Sequence, residues 1–496
     1  MRRNVAVLAG IVGFVALVTA LLSAWRRPSP VATGSEPAGS HESPPATEDE
    51  RLRREWALEE RLDREFPTHG LVTKTQLTIR VRPDGEATSL GWLRIGAHLR
   101  MKAEPTRTAS CRSGWYELHP RGYACAGQGI EPREAAPDVG TELGPDLGRA
   151  LPYAYYFVKE PQVPEWHQLP SREDQRDAQL HAERYLAFLT AGDEARARRL
   201  RGGEMTGEPE PPHEVARWLD HGFFIASNGM EVRSRRRFVR TVRGSYVKES
   251  QLEAREGAQF HGLELTADRT LPVAWMVRAS RPMVRRERSD GTIRMVDEEG
   301  VEPLARLAMV PWRRRERIGD QQYHVIETPQ GEERWVRDWF IAVAEAREPP
   351  AGIAAEEPWV HVDISSQTLV LYVGPRPIYA TLVSSGVSGH DTPEGEFVIR
   401  RKMVTDTMAD LGDDAGDDRY RIEDVPWTQY FEGSIALHAA FWHAQYGIPR
   451  SHGCVNLAPR DAQFVFLHTW PDVPRGWHGI STEGTGVQGS RVIVTH

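Results

Sequence analysis

The 496-residue sequence has few cysteines, few aromatic residues and no excess of basic charge. Its three cysteines, Cys111, Cys125 and Cys454, exclude a disulfide-dense scaffold and a four-cysteine zinc module. Lysine and arginine total 62 against 70 acidic residues, and the net charge of -8 argues against a nucleic-acid partner. Aromatic residues make up 8%, whereas 43 glycines and 35 prolines predict many turns and linkers. At roughly 150 residues per domain, we expect about three domains.

Charged side chains are also missing from residues 5–25, and this absence predicts a membrane segment. A helix of this length spans about 31 Å, which matches the hydrocarbon core of a bilayer. A cleaved secretory signal has a shorter apolar core and ends in a small-x-small site, whereas Leu22-Ser23-Ala24 fits such a site poorly. We therefore predict a membrane anchor within residues 1–25, with a cleaved signal as the alternative, and an exported chain in either case.

Composition divides the rest of the chain into segments with different structural character. Runs rich in proline, serine, glycine and glutamate predict flexible connections, whereas alternating apolar residues predict β domains. The predicted segments are a flexible tether (26–50), a short helix (51–70), a small β domain (71–130), a linker (131–148), a central region (149–346), a second linker (347–357) and a β-rich domain with short helices (358–496). We therefore predict a multidomain, mainly β fold.

The predicted β domain carries a hairpin pattern that recurs further along the chain. Residues 77–82 alternate apolar and polar side chains, and Gly-Trp-Tyr at 114–116 is followed by Gly-Tyr-Ala at 122–124. This order resembles the bacterial SH3-like domains of cell-envelope enzymes. Residues 244–247 and 334–336 are similar to the tripeptide at 122–124. This similarity indicates one or two further, diverged SH3-like units in the central region.

Two of the cysteines flank the Gly114-Trp115 hairpin. In an exported protein, Cys111 and Cys125 can form a disulfide, and two free thiols are the alternative. Closing so short a loop is worth on the order of 3 kcal/mol through the entropy of the unfolded chain. Their pairing leaves Cys454 as the odd cysteine, and a lone thiol in an exported protein is a candidate reactive group.

The surroundings of Cys454 contain the groups that cysteine chemistry requires. His452 precedes it by two residues and His438 by sixteen, and a thiol needs such a base or cation to react near neutral pH. Gly453 allows a tight turn, and the N–H groups around Gly453 and Cys454 could hold the oxyanion of a tetrahedral intermediate. Zinc bound by these residues and His443 is an alternative, but no spacing forms a familiar zinc pair. We therefore expect no metal and no other cofactor.

Two motifs in this region resemble the L,D-transpeptidase (YkuD-type) family of peptidoglycan enzymes. One is His438, a gap of twelve residues and the segment Ser451–Asn456, which reads Ser-His-Gly-Cys-Val-Asn. The other is Thr392–Phe397, which matches the pattern Thr-Pro-x-Gly-x-Phe. The resemblance covers residues 358–496. It implies an L,D-transpeptidase-type β-rich fold with short helices for this region. The SH3-like domains and the N-terminal transmembrane helix predicted above precede it.

The resemblance also implies a role for each matching residue. Cys454 would be the nucleophile, His438 would be the base that activates it, and the backbone carbonyl of Ala439 would orient the imidazole. The other expected site residues are His452 and Gly453 in the catalytic turn, Ser451 and Asn456 in support of it, and Tyr430 and Trp442 as walls of the substrate pocket.

The implied reaction is acyl transfer between peptidoglycan stem peptides. The nucleophile attacks the carbonyl of the third stem residue, the terminal D-Ala leaves, and an amine of a second stem resolves the thioester as a 3-3 cross-link. Alternatives on the same fold are an L,D-carboxypeptidase, for which water is the acceptor, and a protein-to-peptidoglycan ligase. A non-enzymatic wall-binding protein is a further alternative. We expect a location in the bacterial cell envelope, with the catalytic domain anchored outside the cytoplasm or secreted if the N-terminal segment is cleaved.

Overall fold

The computed structural model describes residues 48–135, 144–410 and 420–496. The predicted membrane segment (1–25) and nearly all of the predicted tether lie outside these ranges. Within the described ranges, no helix is long and apolar enough to cross a membrane. The described chain is mainly β, as the sequence predicts, and its few helices are short.

The first β unit covers residues 68–133 and follows the helix α1 (Glu48–Glu65). Its strands are β1 (Thr68–Val72), β2 (Gln76–Arg80), β3 (Ser89–Arg94), β4 (His98–Met101), β5 (Thr106–Thr108), β6 (Cys111–Glu117), β7 (Tyr123–Cys125) and β8 (Ile130–Arg133). β1 pairs with β4 and β8, and β2 pairs with β3 and β7, around one apolar core. The helix predicted over 51–70 instead ends before Pro67, because a residue that precedes proline is disfavoured in the helical conformation.

A disulfide joins Cys111 in β6 to Cys125 in β7, with the two Cα atoms 6.0 Å apart. Both half-cystines are buried and pack beside the indole of Trp115. The sulfur atoms therefore tie two adjacent strands of the first β unit together.

Replacing Cys111 and Cys125 by serine should lower the free energy of unfolding of the first β unit by about 3 kcal/mol, because the closed loop restricts the unfolded chain. Amide hydrogen exchange of β5 to β7 measures this loss directly. Reducing agent supplies the control, since it should reproduce the effect in the wild type and leave the double variant unchanged. Equal protection of these strands in the two proteins would contradict the expectation.

The second β unit covers residues 154–255 and carries two helices between its strands. Its elements are β9 (Ala154–Val158), β10 (Val163–Trp166), α2 (Arg172–Thr190), α3 (Glu194–Arg201), β11 (Val215–Leu219), β12 (Phe224–Arg233), β13 (Arg236–Thr241), β14 (Tyr246–Lys248) and β15 (Leu252–Arg255). α2 begins with a capping box, in which the Ser171 hydroxyl accepts from the Asp174 N–H and the Asp174 carboxylate accepts from the Ser171 N–H. Gly192, with a φ of +73°, separates the two helices.

The third β unit covers residues 273–344. It is preceded by the short strand β16 (Leu263–Glu264). Its strands are β17 (Val273–Met276), β18 (Met283–Glu287), β19 (Ile293–Asp297), β20 (Met309–Val310), β21 (Trp312–Ile318), β22 (Gln321–Glu327), β23 (Glu333–Arg337) and β24 (Ile341–Ala344). The central region predicted over 149–346 therefore divides into two β units.

The three β units end in the same local arrangement: a strand, a single turn of 3-10 helix and a second strand. The turns are Ala126–Gln128, Glu249–Gln251 and Asp338–Phe340. Each turn begins two residues after the end of one of the three similar aromatic segments, at 122–124, 244–247 and 334–336. β8 follows the first turn and takes up residues of the predicted linker 131–148, so that linker begins later than the sequence suggested.

The described part of the C-terminal domain, residues 358–410 and 420–496, contains two sheets and one α-helix. Its elements are β25 (Pro358–Asp363), β26 (Thr368–Val373), β27 (Arg376–Leu382), β28 (Gly395–Val398), β29 (Arg401–Asp410), β30 (Tyr420–Glu432), β31 (Ile435–Ala439), β32 (Val455–Leu457), α4 (Pro459–Leu467), β33 (Gly479–Ser481) and β34 (Arg491–Thr495). One sheet has the order β16-β27-β26-β25-β34-β28. The other contains β29 to β33, and a single apolar core joins side chains of both sheets and of α4.

Two of the β units extend the second sheet of the C-terminal domain. In the first unit, β3 pairs with β33, and a side chain at Gly91 would approach the Gly479 carbonyl oxygen to 2.5 Å. Trp477 and Ile480 of the C-terminal domain are buried in the core of the first unit. In the second unit, β12 pairs with β30 in parallel. We call the three β units the accessory units; the first and the second are thus continuous with the strands that surround the predicted site.

Candidate active site

Cys454 lies on a tight turn that leads directly into β32. Gly453 has a φ of +111°, a conformation that favours glycine. The hydroxyl of Ser451 closes the turn, because it donates to the Cys454 carbonyl and accepts from the Gly453 N–H at 3.2 Å. Thr392, from the second sequence motif, donates its hydroxyl proton to the Gly453 carbonyl at 2.8 Å. The structure thus brings the two motifs together at this turn.

The two backbone donors expected to bind an oxyanion are in different states. The Gly453 N–H already donates to Ser451, whereas the Cys454 N–H donates to no acceptor in the described part of the chain. The Gly453 N–H is therefore occupied in this structure, and the oxyanion role of the turn stays a prediction. The turn forms this bond because the Ser451 side chain is buried and needs a partner.

His438 lies on β31, which runs parallel to β32. His438 is opposite Asn456 in this ladder, and side chains two positions apart point to the same face of a strand. Cys454 directly precedes β32, and continuing this alternation by one residue places it on the face that carries His438. Among the described residues the thiol contacts the carbonyl of Ser434 at 3.8 Å, and no hydrogen bond joins it to the imidazole. Catalytic hydrogen bonds of this kind often form fully only when substrate is bound.

The imidazole of His438 is held by two neighbours. Its Nδ1 lies 3.3 Å from the Ala439 carbonyl oxygen, the contact expected from the sequence. The ring of Trp442 stacks on it with the centroids 5.7 Å apart. Burial lowers the pKa of His438 to about 4. At neutral pH the ring is therefore uncharged, and donation from Nδ1 leaves the Nε2 lone pair able to accept a proton.

The thiol of Cys454 is half-buried against an apolar cluster that includes Met403, Tyr430 and Ala436. Burial raises the pKa of this thiol above its ordinary value. The thiol and the imidazole of His438 are thus both uncharged at neutral pH. This arrangement suits a base that removes the thiol proton during attack, not a preformed thiolate–imidazolium pair.

The rate at which iodoacetamide alkylates Cys454 should rise steadily from about pH 5 to pH 10. A thiolate–imidazolium pair would give a rate that is already constant in mildly acidic solution, because its thiol is ionised there. Cys454 is the only free cysteine in the described chain, so label uptake reports on this residue alone. A Cys454→Ser variant gives the background label uptake. An alkylation rate that is already constant below about pH 7 would contradict the conclusion that the thiol and the imidazole are uncharged.

The expected supporting residues make specific contacts. The amide nitrogen of Asn456 lies 2.9 Å from Nε2 of His443, which joins β32 to the segment after β31. The hydroxyl of Tyr430 donates to Asp406 at 2.9 Å, and the guanidinium of Arg401 lies 4.2 Å from the centroid of its ring. Tyr430 and Trp442 therefore lie beside the thiol and the imidazole, respectively.

His452 is exposed, in contrast to the two residues that flank it. Its ring lies 4.6 Å from the ring of His390 and 6.0 Å from that of Tyr420. No motif in the sequence singled out His390 or Tyr420. In the described residues, no group of three or more histidine, cysteine, aspartate or glutamate side chains is arranged to hold a metal ion.

Comparison with known proteins assigns the C-terminal domain. Residues 357–488 match the YkuD family, the L,D-transpeptidase catalytic domain. No curated protein matches the chain. One solved structure similar to the chain is an L,D-transpeptidase from Mycobacterium smegmatis. Its sequence is 18% identical, the match covers 38% of this chain and 99% of that chain, and the TM-score is 0.24. Another is the catalytic domain of the E. faecium L,D-transpeptidase. Its sequence is 23% identical, the match covers 28% of this chain and 98% of that chain, and the TM-score is 0.22.

The matched segment contains every residue expected to act in the site, from Tyr430 to Asn456, together with the motif at Thr392–Phe397. It covers less than a third of the sequence, so it assigns one domain and leaves the three β units unassigned. The resemblance to the family seen in the two motifs is thereby confirmed, and residues 357–488 form a YkuD-type L,D-transpeptidase catalytic domain.

Proposed function

We propose that this chain is a peptidoglycan L,D-transpeptidase that forms 3-3 cross-links through a thioester on Cys454. The observation that carries the proposal is the position of Cys454 at the entry to β32, next to the strand β31 that carries His438, with Nδ1 of the imidazole directed to Ala439. A nucleophile, a neutral base and an orienting carbonyl are the parts that cysteine acyl transfer needs.

Acylation begins when Sγ of Cys454 attacks the carbonyl carbon of the third stem residue. Nε2 of His438 takes the thiol proton as the S–C bond forms, so no free thiolate is required. The carbonyl oxygen becomes an oxyanion, and the Cys454 N–H, which has no acceptor among the residues that the structure describes, is the donor proposed for it. The C–N bond to the terminal D-Ala then breaks, and the imidazolium returns its proton to the leaving amine. A thioester and free D-Ala result.

Deacylation repeats these steps with a different nucleophile. The side-chain amine of a second stem attacks the thioester and gives a proton to His438. The C–S bond breaks, and the thiolate of Cys454 takes the proton back. The product is an amide between two third-position residues, which is the 3-3 cross-link. Tyr430 and Trp442 lie where they can contact the two stems beside the reacting atoms.

We further propose that the chain acts in the bacterial cell envelope. The uncharged run at residues 5–25 supports an N-terminal anchor that leaves the catalytic domain outside the cytoplasm. The disulfide at Cys111 and Cys125 is consistent with an oxidising compartment. Sequencing the N-terminus of the mature protein tests this point, since a start beyond Trp25 would replace the anchor by a cleaved signal.

Product analysis separates the proposed reaction from its alternatives. The purified chain is incubated with a disaccharide-tetrapeptide, alone and with an acceptor stem, and the products are identified by mass. A dimer linked through two third residues supports the transpeptidase. Tripeptide without dimer favours the carboxypeptidase, and an adduct with a protein amine favours the ligase. Binding to peptidoglycan without any product favours a non-enzymatic wall-binding protein.

A further inference from the structure

The first β unit sends one arginine into the C-terminal domain. Nη1 of Arg94, at the end of β3, lies 2.5 Å from a carboxylate oxygen of Asp424 and donates to the Thr405 hydroxyl at 3.1 Å. Asp424 is buried in β30 and has a φ of +53°, which is strained for a residue with a side chain. Burial alone would raise the pKa of the Asp424 carboxyl, but the guanidinium of Arg94 keeps it below its ordinary value. Arg94 therefore stabilises an unusual backbone conformation of β30.

The second β unit contributes an arginine that pairs with Glu423, the residue before Asp424 in β30. Nη2 of Arg217, in β11, lies 2.5 Å from a carboxylate oxygen of Glu423, and its Nε lies 2.5 Å from Glu165 in β10. Both carboxylates are almost completely buried. Glu423 also pairs with Arg421 of β30 at 3.0 Å and with Arg243 of the second unit at 3.7 Å. Arg217 is the one of these three cations that also binds Glu165, so it couples β10 and β11 of the second unit to β30.

The third β unit contributes an arginine to the segment that follows β31. The two Nη atoms of Arg306 donate to the carbonyls of Ala444 at 2.7 Å and Tyr446 at 2.8 Å. This segment also contains Trp442, whose ring stacks on His438. Arg306 therefore fixes the backbone that supports the proposed base.

Both anchored segments border the candidate site. β30 contains Tyr430, which packs in the same apolar cluster as Cys454, and Tyr420, whose ring is near that of His452. The segment after β31 holds the other side of the site through Trp442. At least one arginine from each accessory unit thus reaches a segment that directly adjoins the reacting groups.

We propose that Arg94, Arg217 and Arg306 are positioning residues, through which the three accessory β units set the geometry of the Cys454 site. The inference rests on the proposed function of that site. The arginines touch neither the thiol nor the imidazole, so they act through β30 and the segment after β31. On this account the accessory units are required for full catalytic rate in addition to any role in locating the enzyme.

The test compares Arg94→Gln, Arg217→Gln and Arg306→Gln in the full chain. Each should lower kcat/KM for transpeptidation by about 10- to 100-fold, because small displacements at a reacting centre have effects of this size. Loss of Arg306 should lower kcat more than it changes KM, because it loosens the support of the base. Loss of Arg94 or Arg217 should mainly raise KM, because β30 carries the pocket wall. Hydrogen exchange should increase in the anchored segment.

Two further variants keep the test independent of folding. Arg314→Gln removes an exposed arginine of the third unit that pairs with Glu333, and it should stay within about twofold of the wild type. Arg306→Lys keeps the charge but has one nitrogen, so it should recover only part of the rate. Activity of all three glutamine variants within about twofold of Arg314→Gln would overturn the proposal. A loss of activity accompanied by increased amide hydrogen exchange throughout the chain would also overturn it, because it would show general destabilisation.

Failure of the proposed function gives a different pattern. In that case the wild type forms no acyl-enzyme with any stem peptide, and no rate exists to compare. Hydrogen exchange then decides the inference alone. An increase confined to β30 and to residues 440–446 supports positioning, and unchanged exchange in these segments overturns it.

Discussion

A Cys454→Ala variant should lose transpeptidase activity by a factor on the order of 10³ or more, because the acyl group has no other nucleophile to bind. The alanine side chain is smaller than cysteine and apolar, so the half-buried position should accept it without a large loss of stability. The measurement is the initial rate of 3-3 dimer formation, together with the thermal unfolding midpoint of both proteins.

Serine at the same position is the sharper control. Cys454→Ser keeps a nucleophilic atom and nearly the same shape, yet a hydroxyl is far harder to deprotonate than a thiol. Because His438 has a pKa of about 4, it is a weak base for this task, and the serine variant should also be almost inactive. Substantial activity in the alanine variant would show that another residue is the nucleophile.

Replacing His438 by glutamine should lower kcat by about 10²- to 10⁴-fold, the usual contribution of a general base. Glutamine keeps the polar character of the side chain but cannot take up the thiol proton. Alkylation of Cys454 by iodoacetamide should be nearly unchanged, because the thiol of the wild type is not ionised by the imidazole at neutral pH. A matched loss of alkylation and turnover would instead indicate a preformed ion pair.

The pH dependence of activity provides an independent check on His438. A protonated imidazole cannot accept the thiol proton, so activity is present above the pKa of His438 and is lost as the pH falls through it. Since burial lowers that pKa to about 4, the acid limb of kcat/KM should lie near pH 4. Return to neutral pH after acid exposure should restore activity fully, which separates protonation from unfolding. An acid limb of kcat/KM near the ordinary pKa of histidine would contradict this account.

The local chemistry of the site was predictable because it is encoded over short distances in sequence. Ser451, Gly453 and Cys454 belong to one turn, and a glycine with positive φ is needed there. Ala439 directly follows His438, so its carbonyl is available to the imidazole whatever the rest of the fold does. In the first β unit, the proximity of Cys111 and Cys125 likewise follows from one hairpin.

The wider surroundings were not predictable because they depend on contacts between distant segments. Arg94 and Thr405 are 311 positions apart, and nothing in either local sequence indicates the other. The bond between Thr392 and the Gly453 carbonyl joins two motifs that were recognised separately. The occupied Gly453 N–H was missed for a different reason, since a motif gives the residue types of a turn without the direction of each hydrogen bond.

The most direct test of the account is the mass of the Cys454-containing peptide after a brief incubation of the chain with tetrapeptide stem. The proposed mechanism predicts that this peptide gains the tripeptide acyl group while one D-Ala is released per enzyme. Added acceptor stem should then remove the acyl group and yield the 3-3 dimer. Product formation without any adduct on Cys454, or the same adduct in Cys454→Ala, would contradict the central claim.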